Sequence, residues 1–307
     1  MIPLAGSEIL RVRSRRVLWV LSFVAIAGVL VGVTIGAVNS RPPTAAETQA
    51  ARVRYDRAIE RCMTQIDRPP EGTELRAFCE SSVASLDQPG TADAMELRDG
   101  RRLLEGLSTM VILLGVVLGA TLVGADWASG TFATLLTWEP RRVRVVVVRL
   151  LVIAFAVVVV TGVIQLVFIA AFRLAVALRG STVGASSDWL LELAGVALRV
   201  SLGAAALAVI AGGIATIGRS TVLAVGSLFA YLVIVEGFLV GLVGGIERWL
   251  LIRALTIVVS NQPSIGFDGS SGTTYTTSVA QGRVIVLAYV VALTALAIAA
   301  MQRRDVQ

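Results

Sequence analysis

Runs of apolar residues, each about as long as a bilayer is thick, alternate along this chain with short segments rich in arginine. A helix needs about 20 apolar residues to cross the hydrocarbon core. Six stretches meet or approach that length: 17–38, 103–124, 150–172, 189–218, 222–245 and 284–301. The fourth is interrupted by Glu192 and Arg199, and the sixth is short. The pattern predicts an all-α integral membrane protein with six transmembrane helices, both termini on one side.

Arginine predicts which side. Arg11, Arg13, Arg15 and Arg16 precede the first span, and Arg141, Arg142, Arg144 and Arg149 lead into the third. With Arg219, Arg303 and Arg304 these make eleven, against five (Arg173, Arg179, Arg248, Arg253, Arg283) in the short loops of the other side. Arginine collects in short cytoplasmic loops, so the N- and C-termini are expected to be cytoplasmic. The first span, at 22 residues, exceeds the roughly 7–15 of a secretory h-region and is followed by no clear A-x-A site, so it reads as a retained anchor.

The segment 39–102 is the sizeable polar piece and is expected outside the cell. Thr44 and Glu47 have the spacing of a capping box, and an Ala/Arg/Glu-rich run follows to about Ile66. The run Asp67-Arg68-Pro69-Pro70-Glu71-Gly72 breaks it; a second helical run, 73–86, ends before Pro89-Gly90. Together they predict a small external helical hairpin. Both cysteines of the chain fall on it, Cys62 and Cys79, one on each arm. An even pair in an oxidising compartment reads as a disulfide rather than two unrelated thiols, with a chain-entropy contribution of about 3 kcal/mol. The last external segment, 246–282, opens on an interfacial Arg248-Trp249-Leu250-Leu251-Ile252 and continues as a Gly/Ser/Thr-rich stretch, 264–278. A loop is expected there, with a short helix or re-entrant turn before it.

Composition narrows the chemistry. The chain is 56% hydrophobic and 16% charged, with a mean hydropathy of +0.81, where soluble domains carry about 45–50% apolar and roughly 25% charged residues. It contains no histidine and no lysine. The first absence removes histidine triads, histidine bases and histidine-ligated metal. The second removes the Walker A lysine and any lysine Schiff base. No metal site is expected, and an intramembrane serine hydrolase lacks a His or Lys to activate its nucleophile. The net charge of +6 is explained by arginines flanking spans, not by a nucleic-acid surface.

The stretch between the second and third spans carries the most information: Asp126-Trp127-Ala128-Ser129-Gly130-Thr131-Phe132-Ala133-Thr134-Leu135-Leu136-Thr137-Trp138-Glu139-Pro140-Arg141-Arg142. It reads as a short amphipathic helix at the inner membrane surface, with Trp127, Phe132, Leu135, Leu136 and Trp138 available for a hydrophobic contact, either with a partner or with the lipid interface. The stretch resembles the first cytoplasmic loop of the permease subunits of type 2 ABC transporters, most of which are exporters. The matching positions are Gly130, Thr131, Leu135, Leu136, Pro140 and Arg142, with Asp126 in place of the usual Glu and Arg149 in place of the usual Lys. The basic segment from Ser7 to Arg16 and the tail Arg303-Arg304-Asp305-Val306 are similar to that family's ends; the external hairpin lies outside the resemblance.

The resemblance implies that the loop is a coupling helix seated in a groove of a separate ATPase subunit, which holds ATP and Mg, so that this chain carries no cofactor. It also implies a second permease subunit, identical or different, and a place in a bacterial cell membrane. On this reading the contact residues are Asp126, Gly130, Thr131, Phe132, Leu135, Leu136, Trp138, Pro140 and Arg142. Gly130 would allow a close approach, Pro140 would fix the exit into the third span, and Asp126 and Arg142 would hold the two ends, by an ion pair or through neighbouring helices. The chain then divides into an interfacial helix and first span (1–38), the hairpin (39–102), the second span (103–124), the coupling loop (125–149), spans three to five (150–245), an external segment (246–283), and the sixth span with its cytoplasmic tail (284–307).

Ionisable residues within spans are functional candidates. Glu105 and Glu192 lie near span ends, within reach of headgroups. Glu192 and Arg199 are two helical turns apart and fall on one face. Glu236 lies deepest, with a substrate or conformational role and a structural pairing both open. Gly28, Gly32 and Gly36 present a small-residue face for helix packing. The competing functions are a proton-coupled secondary transporter using Glu192 or Glu236, for which no internal repeat is visible, and a membrane sensor or scaffold that uses the hairpin.

Overall fold

The computed structural model describes residues 2–40, 44–65, 75–76, 79, 95–97, 99–131, 141–180, 188–240, 246–268 and 273–303. Its helices are α1 (Ile2–Ser14), α2 (Arg16–Asn39), α3 (Ala45–Gln65), α4 (Asp99–Ala128), α5 (Arg142–Arg179), α6 (Trp189–Gly218), α7 (Thr221–Ala230), α8 (Leu251–Ser260) and α9 (Val279–Arg303). A π-helical segment, Tyr231–Leu239, prolongs α7, and a 3-10 turn, Ile246–Trp249, precedes α8. Six helices are long and apolar enough to cross a membrane: α2, α4, α5, α6, α7 with its π segment, and α9. They coincide with the six expected spans, and the chain is a helical, multi-pass membrane protein.

Two elements depart from expectation. The helix of the third span, α5, has 38 residues, about 57 Å at 1.5 Å per residue, nearly twice the hydrocarbon thickness. Hydropathy marked only its apolar centre; the helix itself runs on to Gly180, whose N–H closes on the Val176 carbonyl at 2.8 Å. The Gly/Ser/Thr-rich stretch is not a plain loop. Residues Ser264–Asp268 (β1) and Thr273–Thr277 (β2) pair antiparallel, from Ser264 opposite Thr277 to Asp268 opposite Thr273. β1 alternates, with Ile265 and Phe267 between Ser264, Gly266 and Asp268; β2, Thr-Thr-Tyr-Thr-Thr, has the β-branched and aromatic character of a strand, and the Tyr275 ring lies over Gly266, where a Cβ would come within 2.3 Å of it. So the fold is helical with one small β-hairpin.

The described chain divides into two compact units. The first comprises residues 1–23, 105–163 and 196–307. Its helices α4 and α6 pack closely where Gly115 faces Ala204 and Gly119 faces Ala208. A Cβ at Gly119 would stand 2.2 Å from the Ala208 carbonyl oxygen, so the four-residue repeat of small side chains on both helices is what lets their backbones touch.

The second unit comprises residues 24–104 and 164–195. Phe172 is fully buried between Phe168 and Trp189, with ring centroids at 5.7 and 6.5 Å. The Trp189 indole donates to the Leu97 carbonyl at 2.7 Å. Of the small-residue face on α2, Gly36 meets the Met95 side chain while Gly32 has nothing within 4 Å. Here α3 starts as the capping box requires: the Thr44 hydroxyl accepts from Glu47 N–H at 3.3 Å, and the Glu47 carboxylate accepts from Thr44 N–H at 2.8 Å. Cys62 and Cys79 form a disulfide, with Cα atoms 5.7 Å apart, packed beside Ile59, Tyr55 and Leu75. Apart from Leu75, Arg76 and Cys79, the expected second arm lies outside the described residues.

Candidate functional site

All the groups below belong to the first compact unit unless stated otherwise. Asp126 ends the buried face of α4 and is 1% exposed. One of its oxygens pairs with Arg149 on α5 and the other with Arg15, at the junction of α1 and α2. Arg149, also buried, donates to the Leu122 carbonyl at 2.9 Å. Buried Glu8 on α1 pairs with Arg11 at 3.0 Å. Glu8, Arg11, Arg15, Asp126 and Arg149 line one small nook together with Val12, Leu122 and Ile153. In low dielectric such charges are tolerable only when they meet. The cluster therefore fixes α1, the end of α4 and the start of α5 as one piece. Sequence reading had singled out Asp126 and Arg149 separately; it missed Glu8, whose burial leaves no periodic signal.

The expected contact residues divide unevenly. Phe132, Leu135, Leu136, Trp138 and Pro140 lie outside the described residues. Gly130 has no atom of this chain within 4 Å of a built Cβ. Its φ is +70°, the left-handed turn that ends α4 and that glycine adopts without strain. Next to it the Ser129 and Thr131 hydroxyls are 2.7 Å apart. Arg142 does not reach Asp126; it donates to the Met301 carbonyl at 3.0 Å, tying the start of α5 to the end of α9. Trp127, expected to be available to a partner, is used within the chain. It packs on Val145, Val146, Leu150 and Met301, and the Arg219 guanidinium lies 4.8 Å from its ring centroid.

Two of the four ionisable residues within spans, Glu236 and Arg199, converge on α8. That helix begins at Leu250, whose side chain has no capping atom, so its first N–H groups need acceptors from elsewhere. The Tyr231 hydroxyl accepts from Leu251 N–H at 3.2 Å, and the Glu236 carboxylate accepts from Ile252 N–H at 2.8 Å. Both acceptors sit on the π segment that follows α7. At the other end, Arg199 on α6 donates to the Val259 carbonyl at 3.0 Å. A carboxylate thus meets the positive end of α8 and a guanidinium its negative end, each in the orientation the helix dipole favours. Tyr289 on α9 completes the support, 3.3 Å from the Tyr231 hydroxyl and donating to the Trp249 carbonyl at 3.4 Å. Glu192 and Arg199, two turns apart on α6, each engage a neighbour: Arg199 the Val259 carbonyl, and Glu192, in the second unit, Arg101 at 2.6 Å.

Beside β2, the Tyr275 phenol donates to Glu247 at 3.3 Å. Burial first, then the Glu247 charge, pushes its pKa up, which keeps this donor protonated. A mainly apolar cleft of about 470 Å³ lies between α4, α7 and α8, within the size range of ligand sites. No group of three or more His, Cys, Asp or Glu residues able to hold a metal occurs among the described residues.

No protein-family model, no curated protein and no solved structure matches this chain.

Proposed function

We propose that this chain is the membrane-spanning permease subunit of an ATP-driven exporter, moving an amphipathic or hydrophobic substrate outward. The observation that supports this best is the buried Asp126 at the root of the loop, held at once by Arg15 and Arg149. A force applied to the loop is delivered through that carboxylate to α1, α4 and α5 together, as a coupling element requires. The ATPase is a separate subunit in this reading, since the chain has no lysine for a Walker A site, and two permease subunits work as a pair. The orientation follows arginine: termini and loop cytoplasmic, hairpin and α8 outside, in a bacterial cell membrane.

The large apolar side chains of the loop, Phe132, Leu135, Leu136 and Trp138, are the expected anchors in the ATPase groove. Leu135→Asp abolishes co-purification with the ATPase while the chain still inserts. A helix merely resting on lipid would lose membrane contact but keep the complex. Wild-type ATPase binding and transport in Leu135→Asp overturns the coupling assignment. A proton-coupled mechanism finds less support: the carboxylates it would use are both engaged, Glu236 by the Ile252 amide and Glu192 by Arg101.

A further inference from the structure

The junction of α1 and α2 has two unlike faces. Glu8, Val12 and Leu18 are buried, and Arg11 and Arg15 half-buried, on the face that meets Asp126. On the other face Ile9, Leu10, Arg13, Arg16 and Trp19 are exposed. Glu8 is the one acidic residue before Glu47, and it is turned inward to Arg11. The Arg13 and Arg16 guanidiniums have no hydrogen-bond or ion-pair partner among the described residues. Nor does the inner face supply a spare anion, since its nook holds three guanidiniums against two carboxylates. The Trp19 indole reaches back across the break between the helices and donates to the Arg13 carbonyl at 2.8 Å, which sets the ring beside Arg13. One turn further along α2, Phe23 is 65% exposed, its ring centroid 6.3 Å from that of Trp19. Guanidinium, indole and apolar ring thus follow one another in the order in which a bilayer presents phosphate, interface and acyl chain.

We propose that this outer face binds an anionic glycerophospholipid of the bilayer, its phosphate held by Arg13 and Arg16 and an acyl chain along Val20 and Phe23. Two guanidiniums without counter-ions select negative charge, and they prefer an anionic head to a zwitterionic one, which brings its own ammonium to the same place. The exposed Ile9, Leu10 and Val20 select a lipid over a soluble anion, because only acyl chains take their apolar surface out of water. By the arginine distribution the lipid belongs to the cytoplasmic leaflet. The assignment goes beyond the exporter reading and does not rest on it.

The test uses the full-length chain, without ATPase, in phosphatidylcholine vesicles that carry a trace of photoreactive lipid. The probe is a phosphatidylglycerol with a diazirine near the glycerol end of one chain, or the matching phosphatidylcholine. Photolysis of the first should label the peptide holding Trp19 and Phe23 about 25-fold more than the second, about fivefold for each arginine. Phe155 and Leu166, exposed on α5, should be labelled alike by both. Arg13→Gln and Arg16→Gln should each lower the preference about fivefold, and together remove it, while the paired lysine substitutions should keep most of it. Arg303→Gln, at the exposed basic end of α9, should leave it unchanged; an equal loss there means diffuse surface charge and overturns the proposal. Equal labelling of the wild type by the two probes also overturns it, and that comparison stands whether or not the glutamine variants insert. So does a preference that survives the loss of both arginines. Inorganic phosphate at constant ionic strength should not compete, and competition would identify a free-anion site in place of a lipid one.

Discussion

The chain keeps its awkward charges in two different ways. Around Asp126, charges meet other charges: one buried carboxylate lies between the buried Arg149 and the half-buried Arg15. Around α8, charges meet helix ends: Glu236 faces the N-terminal amides and Arg199 a C-terminal carbonyl. The first arrangement hinges on its shared carboxylate, because removing Asp126 leaves the buried Arg149 without its counter-ion. The second is graded, because each helix end carries only about half a charge and retains other partners. A rigid anchor and an adjustable wall are the natural uses of the two.

That contrast fixes an order of effects. Asp126→Ala should be the most damaging change, costing about 3–5 kcal/mol as Arg149 is stranded. Thermal unfolding of the purified full chain measures it, and Asp126→Leu combined with Arg149→Met should recover most of the loss. A single variant as stable as wild type would mean that the cluster is no anchor. Glu236→Ala should cost about 1 kcal/mol, within the 0.5–2 known for lost helix caps, while Glu236→Gln keeps an acceptor and loses less. Its signature is local: in a Thr256→Cys background, maleimide should react faster once Glu236 is removed. Arg199→Met should cost about 0.3–2 kcal/mol and raise the same reactivity. If it equals Asp126→Ala, the two regions do not differ as described. Smallest is the exposed Arg101–Glu192 pair of the second unit, where a double-mutant cycle should give under about 1 kcal/mol.

Six spans were readable because twenty apolar residues in a row need no tertiary information. The capping box was readable because Thr44 and Glu47 act within one turn, and the cysteines because only two exist. The grip on α8 was readable only in part. Glu236 and Arg199 stand out as ions in apolar surroundings, but nothing local says that both reach the same ten-residue helix from different spans. Glu8 and Arg15 were taken for members of a basic surface stretch, since burial of an ion against another helix leaves no mark in its own neighbours. Gly130 has a second reason to be glycine that the sequence does not mark: its φ of +70° is one glycine adopts without strain, and only the backbone reveals it. The two strands were hidden by serine and glycine, which mark loops more often than strands.

The π segment has a consequence for length. Five residues separate Tyr231 from Glu236, an interval that would set them about 140° apart on a regular α-helix. Winding with i→i+5 bonds takes up the surplus residue and leaves both side chains on the α8 side. Deleting one residue from 232–235 would restore ordinary winding with an interval of four, about 40° apart, and both acceptors would still point the same way. Inserting one residue finds no such slack and swings the carboxylate off the amides. This stretch therefore tolerates shortening better than lengthening, an asymmetry that no substitution at Tyr231 or Glu236 would reveal.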